Sequence, residues 1–217
     1  HEEALNYCHK LVNTGGKFVV EKKLVGEEFS LMSFCDGDTL KHMPVVQDHK
    51  RAYEGDTGPN TGGMGTYSDA DHSLPFLTDE DIVQAQEINN ATVKALKNKF
   101  ADGYKGILYG GFMVTATGVK LIEYNARLGD PEAMNVLSLL QSDFLTVCLG
   151  IVDGTLDRVD VRFANLATVC KYAVPNGYPD KPVKDEPINL SNVKNQERLF
   201  YASVDIKNGQ LIETGSR

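Results

Sequence analysis

The sequence predicts an α+β fold: a mixed or antiparallel sheet with helices, followed by a smaller, mostly β region. Two apolar runs, ILYGGFMV and VKLIEY, flank a Thr-Ala-Thr-Gly turn and predict a β-hairpin over 107–124. Apolar residues at helical spacing, preceded by a possible N-cap at Thr78, predict a long helix over 78–100. From Asp157 onward, short β runs alternate with Pro, Gly and Asn turns.

The first part of the chain predicts one helix and two β runs. Apolar residues at helical spacing over 1–12 stop at Gly15-Gly16. The following segment, KFVVEKKLVGEEFSLMSFCDG, predicts a first β run over 18–21 and a second after Leu24-Val25-Gly26. The connection could offer backbone groups to a nucleobase, and Glu28 could accept hydrogen bonds from ribose hydroxyls. The alternative is an ordinary connection with surface acids.

A long segment rich in glycine and polar residues comes next. After a predicted strand near 42–46, QDHKRAYEGDTGPNTGGMGTYSDADHSLPF shows little apolar periodicity, and compact domains seldom keep so long a loop unless it binds something. Gly62, Gly63 and Gly65 would let backbone amides approach an anion, and Lys50 or Arg51 could supply positive charge. The Walker A pattern is absent from the sequence. A flexible surface loop is the alternative.

Two more helices are predicted after the hairpin. Pro131 can open a helix over PEAMNVLSLL with Asp130 at the N-cap, which would direct free amides toward the preceding polar segment. A strongly apolar helix is predicted over 143–151, ended by Asp153-Gly154. Near the end of the chain, Lys207-Asn208-Gly209 predicts a second hairpin.

Composition excludes several classes of protein. A net charge of -8 without a Lys/Arg run argues against a nucleic-acid binder. No signal peptide and no apolar run of membrane-spanning length are present in the sequence. The four cysteines show no metal-binding spacing and predict reduced thiols, as in a cytoplasmic protein: Cys8, Cys35, Cys148 and Cys170. Because the chain begins at His1 rather than Met, we expect the natural N-terminus to lie upstream.

Five polar residues follow the hairpin's second strand within ten positions: Glu123, Asn125, Arg127, Asp130 and Glu132. Alternation along a strand places Glu123 and Asn125 on one face and Tyr124 on the other. A carboxylate and an amide oxygen at this spacing suit Mg²⁺, which completes its octahedron with water and substrate phosphates. Arg127 could reach a phosphate or carboxylate bound nearby. The alternative is that Glu-x-Asn closes a strand on a solvated face.

Three motifs, QDHKRAYEGDTGPNTGGMGTYS, GILYGGFMV and IEYNARLGDPEAMNVL, resemble those of the phosphoribosylamine-glycine ligase (glycinamide ribonucleotide synthetase) family in the ATP-grasp superfamily. Their order and separations are similar to the family's. The resemblance implies a remnant of the ATP-grasp small subdomain over 1–25, a core domain over 26–157 and an incomplete β-rich domain over 158–217. It also implies that ATP activates glycine as glycyl phosphate. The amine of 5-phosphoribosylamine then attacks to give glycinamide ribonucleotide, ADP and phosphate, in de novo purine synthesis.

The resemblance also implies roles for individual residues. Glu123 and Asn125 would hold Mg²⁺ or Mn²⁺ against the ATP phosphates, and Arg127 and Asp130 would be catalytic. Three residues would bind ATP: Glu21, Leu24 and Glu28. The residues that would bind the other substrates are Asp48, Lys50, Asn60, Thr61, Gly62, Gly63, Gly65, Gly129 and Glu132. Such catalysis depends on positioning and electrostatics, so the lack of a Ser/His or Cys/His constellation in the sequence agrees with it.

The expected partners are small molecules, namely glycine, 5-phosphoribosylamine and ATP, with no nucleic acid or membrane, for a cytoplasmic monomer or homodimer. Two features depart from the family pattern. The strand YGGFMV lacks the acid that many ATP-grasp enzymes place there, and the family's N-terminal domain and phosphate loop do not precede His1. We therefore expect little ligase activity from this chain alone. Another ATP-grasp carboxylate-amine ligase and a non-catalytic nucleotide-binding module are the alternative functions.

Overall fold

The structure is a computed structural model that describes residues 2–217. The strands are β1 (Gly26–Asp36), β2 (Leu40–His42), β3 (Gln47–Asp48), β4 (Arg51–Tyr53), β5 (Thr57–Asn60), β6 (Gly65–Ser68), β7 (Lys105–Thr115), β8 (Gly118–Asn125), β9 (Thr168–Lys171), β10 (Val204–Lys207) and β11 (Gln210–Glu213). The helices are α1 (Glu2–Asn13), α2 (Asp79–Lys99), α3 (Glu132–Leu139) and α4 (Phe144–Asp153), with short 3-10 turns at Leu156–Arg158 and Gln196–Arg198. The predicted α+β class is confirmed.

A four-stranded antiparallel sheet in the order β2-β1-β7-β8 forms the centre of the molecule. β1 pairs with β7 along its whole length, from Gly26 opposite Thr115 to Asp36 opposite Lys105. β7 and β8 form the predicted hairpin, with a register shift between Gly111 and Phe112. The observed pairing confirms the hairpin prediction. A short turn between two apolar runs brings the strands side by side and favours their antiparallel pairing.

Both faces of β1 are buried, which explains its nearly continuous apolar sequence. On one face, Met32 and Phe34 pack in a cluster that includes Val147 of α4. On the other face, Leu31 packs in a second cluster with Ala85 of α2. α2 therefore lies on one side of the sheet, and α3 and α4 lie on the other.

The helix limits follow capping chemistry, with one exception. Thr78 and Asp81 form a capping box at the start of α2, Asp143 caps α4, and Gly154 ends α4 at φ 69°. The predicted N-cap at Thr78 and the predicted end of α4 at Asp153-Gly154 are confirmed. The prediction of Asp130 as the N-cap of α3 is wrong: Pro131 occupies that position without a side-chain cap bond. The Asp130 carboxylate instead accepts a hydrogen bond from the Tyr172 hydroxyl.

The segment after β2 contains more regular structure than its sequence predicts. β4 and β5 form a small hairpin, and β6 lies between β3 and β9 in a three-stranded antiparallel sheet. The strand predicted over 42–46 also differs, because β2 ends at His42, an isolated bridge then pairs Val46 with Ser30, and β3 begins at Gln47. These strands are two to four residues long and rich in polar residues and glycine, so they lack the alternation from which strands are predicted.

The β run predicted over 18–21 is wrong. α1 ends before Gly15-Gly16 as predicted, although His1 lies outside the described residues, and no regular element occurs between α1 and β1. Val19 and Val20 are 82% and 81% exposed. A β-branched run forms a stable strand only beside a partner, and no strand of residues 2–217 pairs with this one.

The last third of the chain is tied to the rest through β9. β9 pairs with β6 from Gly65 opposite Lys171 to Ser68 opposite Thr168. The buried Asn135 of α3 hydrogen-bonds with Thr66 and Thr168, which fixes the start of α3 against both strands. β10 and β11 form the hairpin predicted at Asn208-Gly209, where φ is 52° and 78°.

Two further observations concern the chain as a whole. All four cysteines are free thiols, as predicted. Among residues 2–217, no helix combines the length and the apolar character needed to cross a lipid bilayer.

Candidate functional site

A cleft lies over the face of the main sheet that carries Glu123. It is lined from β1, β7, β8 and the segment around β3 by Glu28, Phe29, Ser30, Asp48, Lys50, Tyr109, Gly111, Phe112, Ile122 and Glu123. Phe29 and Phe112 stack with ring centroids 5.5 Å apart. Their rings are buried in the core cluster on the α2 side of the sheet, so the cleft presents mainly charged and polar side chains, with both signs of charge.

Glu123 and Asn125 share one face at the end of β8, as predicted. The Asn125 Nδ2 donates a hydrogen bond to the Glu123 Oε1 at 3.1 Å. Tyr124 points to the opposite face, where its hydroxyl lies 3.0 Å from the Asn89 Oδ1 and the Thr92 Oγ1 on α2. The contacts of Tyr124 with α2 thus fix which face of β8 carries Glu123 and Asn125.

The two side chains form a donor set that suits a hard divalent cation. Rotation of the Asn125 amide by half a turn would place its oxygen beside the Glu123 carboxylate, and Mg²⁺ commonly takes one or two protein oxygens. Among residues 2–217, no three His, Cys, Asp or Glu side chains are grouped to enclose a metal ion. A cation at this place would therefore take most of its ligands from water or a bound substrate.

Lys50 places a positive charge in the same cleft. Its Nζ lies 2.8 Å from the Glu28 Oε2, and both side chains are about half exposed, at 43% and 44%. Burial would lower the pKa of Lys50, but the hydrogen bond and charge of Glu28 outweigh it and raise that pKa. Lys50 therefore remains a cation at neutral pH and can attract an anionic ligand.

A second pair of acids consists of Asp48, which lines the cleft, and Glu132, which contacts the cleft residue Tyr109. Glu132 begins α3, is 2% exposed and accepts a hydrogen bond from the Tyr109 hydroxyl at 2.8 Å. The buried Asp48 Oδ1 has no hydrogen-bond partner. Burial, with the negative charge of Glu132 next, raises the pKa of Asp48 to about 7. A proton or a cationic ligand group would satisfy Asp48.

This shift predicts an unusual pH dependence of stability. The folded state holds the Asp48 proton up to about pH 7, well above the ordinary pKa of an aspartate, so protonation favours folding. The Asp48 contribution to the free energy of unfolding should therefore fall by about 4 kcal/mol as pH rises from about 4 to about 7, and stay constant above. Urea unfolding of the native chain and D48N across this range measures it.

The control for this prediction is D102N, which replaces an exposed aspartate. The free energy of unfolding of the native chain minus that of D48N should decrease as pH rises from about 4 to about 7. The difference for D102N should stay nearly constant. A constant difference for D48N over the same range would show that Asp48 titrates as an ordinary carboxyl.

The glycines of the segment 61–65 serve close packing. The amides of Thr61, Gly63 and Met64 already donate within the protein, to Lys50 O, Thr61 Oγ1 and His49 O. These three amides are therefore occupied in this structure, and the predicted role of the glycine segment in anion binding stays a prediction. Gly63 has φ 118°, and a Cβ there would lie 2.6 Å from the Asp48 Oδ1. A Cβ on Gly62 would collide with the Arg217 guanidinium.

The structure brings some predicted site residues together and leaves others apart. Glu28, Asp48, Lys50 and Glu123 line one cleft. Arg127 is exposed and donates to the carbonyl of its neighbour Leu128. Three other residues are not among those that line this cleft: Glu21, Leu24 and the exposed Asn60.

The sequence also conceals residues that the structure places beside the site. Tyr109 is hidden in an apolar strand, although its hydroxyl contacts Glu132. Tyr172 and Arg217 lie far along the chain from the motifs, although Tyr172 contacts Asp130 and Arg217 contacts Gly62. No pattern in the sequence near either residue indicates this placement.

The fold and the cleft define an ATP-grasp domain, and a family model supports this directly. The model described as "Phosphoribosylglycinamide synthetase, ATP-grasp (A) domain" matches residues 1–133, which include β1 to β8. The chain belongs to this family. The resemblance inferred from the three motifs and the ATP-grasp fold are therefore confirmed.

Comparisons over the whole chain agree. A phosphoribosylamine–glycine ligase of Methanocaldococcus jannaschii is 56% identical over 223 residues, covering 100% of this chain and 50% of the relative. One of Methanosarcina barkeri is 52% identical over 202 residues, covering 93% and 46%. The crystal structure of the Thermotoga maritima ligase superposes with a TM-score of 0.80 at 30% identity, covering 100% of this chain and 54% of that one. The chain spans about half the length of the curated relatives it matches.

Proposed function

We propose that this chain carries part of the active site of an ATP-dependent ligase that joins glycine to 5-phosphoribosylamine. The products would be glycinamide ribonucleotide, ADP and phosphate, formed through glycyl phosphate. The single observation that carries the proposal is the placement of Glu123 and Asn125 on one face at a charged cleft, in a chain 56% identical to a named ligase. We further propose a cytoplasmic enzyme that is a monomer or a homodimer.

Each part of the cleft has a role in this proposal. Glu123 and Asn125 would hold Mg²⁺ or Mn²⁺, which would offset the negative charge of the ATP phosphates. Lys50 adds positive charge for an anionic group, and Glu28 would exchange its pairing with Lys50 for contacts to ATP. The unpaired Asp48 carboxylate suits the amino group of a substrate. Arg127 and Asp130 are proposed to act on the transferred phosphoryl group.

A chimera provides the test of this function. In it, residues 2–217 replace the matching half of the M. jannaschii relative, which the high identity should allow. We expect ADP to form when ATP, Mg²⁺, glycine and 5-phosphoribosylamine are all present, and omission of either acceptor to abolish most of it. The unmodified relative is the positive control.

Other outcomes would contradict the proposal. ADP formation that depends on a different acid or amine would identify another carboxylate-amine ligase. ATP binding by the 217-residue chain in calorimetry, without turnover in the chimera, would identify a non-catalytic nucleotide-binding module.

A further inference from the structure

Arg217 is held in one orientation close to the glycine segment. Its guanidinium carbon lies 4.8 Å from the centre of the Tyr172 ring, a stacking distance. The side chain is 15% exposed, and it packs so closely on Gly62 that a Cβ there would overlap the guanidinium. A cation fixed this way loses little further side-chain entropy when it binds a ligand.

Tyr172 is itself held in place. Its hydroxyl donates a hydrogen bond to the Asp130 Oδ1 at 2.5 Å. The same carboxylate has its Oδ2 3.7 Å from the Arg217 Nη2, which is an ion-pair distance but too long for a good hydrogen bond. Asp130 is 62% exposed, so solvent weakens this pair. Asp130 therefore orients the aromatic platform and leaves the guanidinium largely available.

The guanidinium keeps unused donors. The Arg217 Nη1 is buried and has no hydrogen-bond partner. Among residues 2–217, Asp130 provides the sole carboxylate within 4.0 Å of the guanidinium. A buried charged donor without an acceptor is costly, and a planar guanidinium fork matches the two oxygens of a carboxylate or phosphate.

We propose that Arg217 recognises an oxyanion of the acceptor substrates, with Tyr172, Asp130 and Gly62 as positioning residues. The inference rests on the proposed function, in which two acceptors carry such a group: the carboxylate of glycine and the phosphate of 5-phosphoribosylamine. Arg217 does not line the cleft of Glu123, where ATP would bind. Arg217 packs on Gly62, and Asp48, which the proposed function assigns to the amino group of a substrate, packs on the adjacent Gly63. We therefore assign Arg217 to an acceptor rather than to the nucleotide.

Steady-state kinetics of the chimera test the proposal. We expect R217M to raise the KM of one acceptor at least about tenfold, with the KM of ATP nearly unchanged, because a hydrogen bond to a charged group is lost. R217K keeps the charge and should restore part of the affinity, because a lysine lacks the fork. Added guanidinium ion should lower the raised KM of R217M. The control is R198M, which replaces an exposed arginine and should change no KM.

The outcomes show which acceptor Arg217 binds, and they distinguish a failure of the Arg217 subsite from a failure of the proposed ligase function. A raised KM for 5-phosphoribosylamine assigns the phosphate, and one for glycine assigns the carboxylate. Unchanged acceptor constants in both R217M and R217K, or a change for ATP alone, overturn the subsite while the ligase function stands.

If the native chimera forms no glycine-dependent ADP, the proposed function fails and the subsite is tested separately. Calorimetry then measures inorganic phosphate and glycine binding to the native 217-residue chain and to R217M. Binding that R217M abolishes supports the subsite. Equal binding, or none to the native chain, overturns it.

Discussion

Replacing Glu123 with glutamine is expected to reduce the Mg²⁺-dependent ATP turnover of the chimera by about 10²- to 10³-fold. The substitution keeps the shape of the side chain and removes the one charged oxygen pair at the end of β8. Asn125 then remains as a neutral ligand, and a divalent cation binds weakly to amide oxygens alone. The measurement is ADP formation against Mg²⁺ concentration, where E123Q should need far more Mg²⁺ for half-maximal rate.

The matched control is E87Q, which replaces an exposed glutamate on α2 remote from the cleft. It should change neither turnover nor the Mg²⁺ requirement. Thermal unfolding of E123Q should resemble that of the native chain, because Glu123 is exposed. An E123Q chimera with the native Mg²⁺ profile would refute the proposed metal site.

Replacing Gly63 with alanine is expected to lower the free energy of unfolding by about 2–4 kcal/mol. Two costs combine at this position. The backbone has φ 118°, which L residues rarely adopt, and the new Cβ would meet the Asp48 Oδ1 at 2.6 Å. Because Asp48 lines the cleft, the substitution should also raise the KM of an acceptor in the chimera. Urea unfolding and steady-state kinetics measure the two effects.

G55A separates the two costs. Gly55 also has positive φ, at 73°, but a Cβ there meets no atom within 4 Å. Its substitution should cost about 1–2 kcal/mol from backbone strain alone and leave the kinetics unchanged. If G63A and G55A had equal effects on stability and none on KM, close packing against Asp48 would have no functional consequence.

Local patterns predicted the elements that carry the proposed metal ligands. Residues two apart on a strand share a face, so Glu123 and Asn125 were predictable neighbours once the 107–124 hairpin was recognised. α2 and α4 were equally predictable, because Thr78 and Asp143 are strong N-caps beside apolar residues at helical spacing.

Long-range pairing explains what the sequence did not predict. β6 is four residues long and gains its stability from β3 and from β9, which lies about a hundred residues further on. The placement of Tyr172 beside Asp130 depends on that pairing. The wrong prediction at Val19 and Val20 also reflects long-range pairing. This run has the composition of a strand, but both side chains are exposed and no strand of residues 2–217 pairs with it.

The pairing of β1 with β7 has a consequence for how a ligand enters. Eleven consecutive residue pairs join these central strands, and every residue of β1 from Phe29 to Asp36 is buried, so the amide hydrogens of that stretch should exchange with solvent only when the whole domain opens. The sheet beneath the cleft, with Phe29 and Phe112 stacked in the core on its α2 side, is therefore a rigid base. Any closure around an incoming nucleotide has to come from the peripheral short strands and from side-chain rotation.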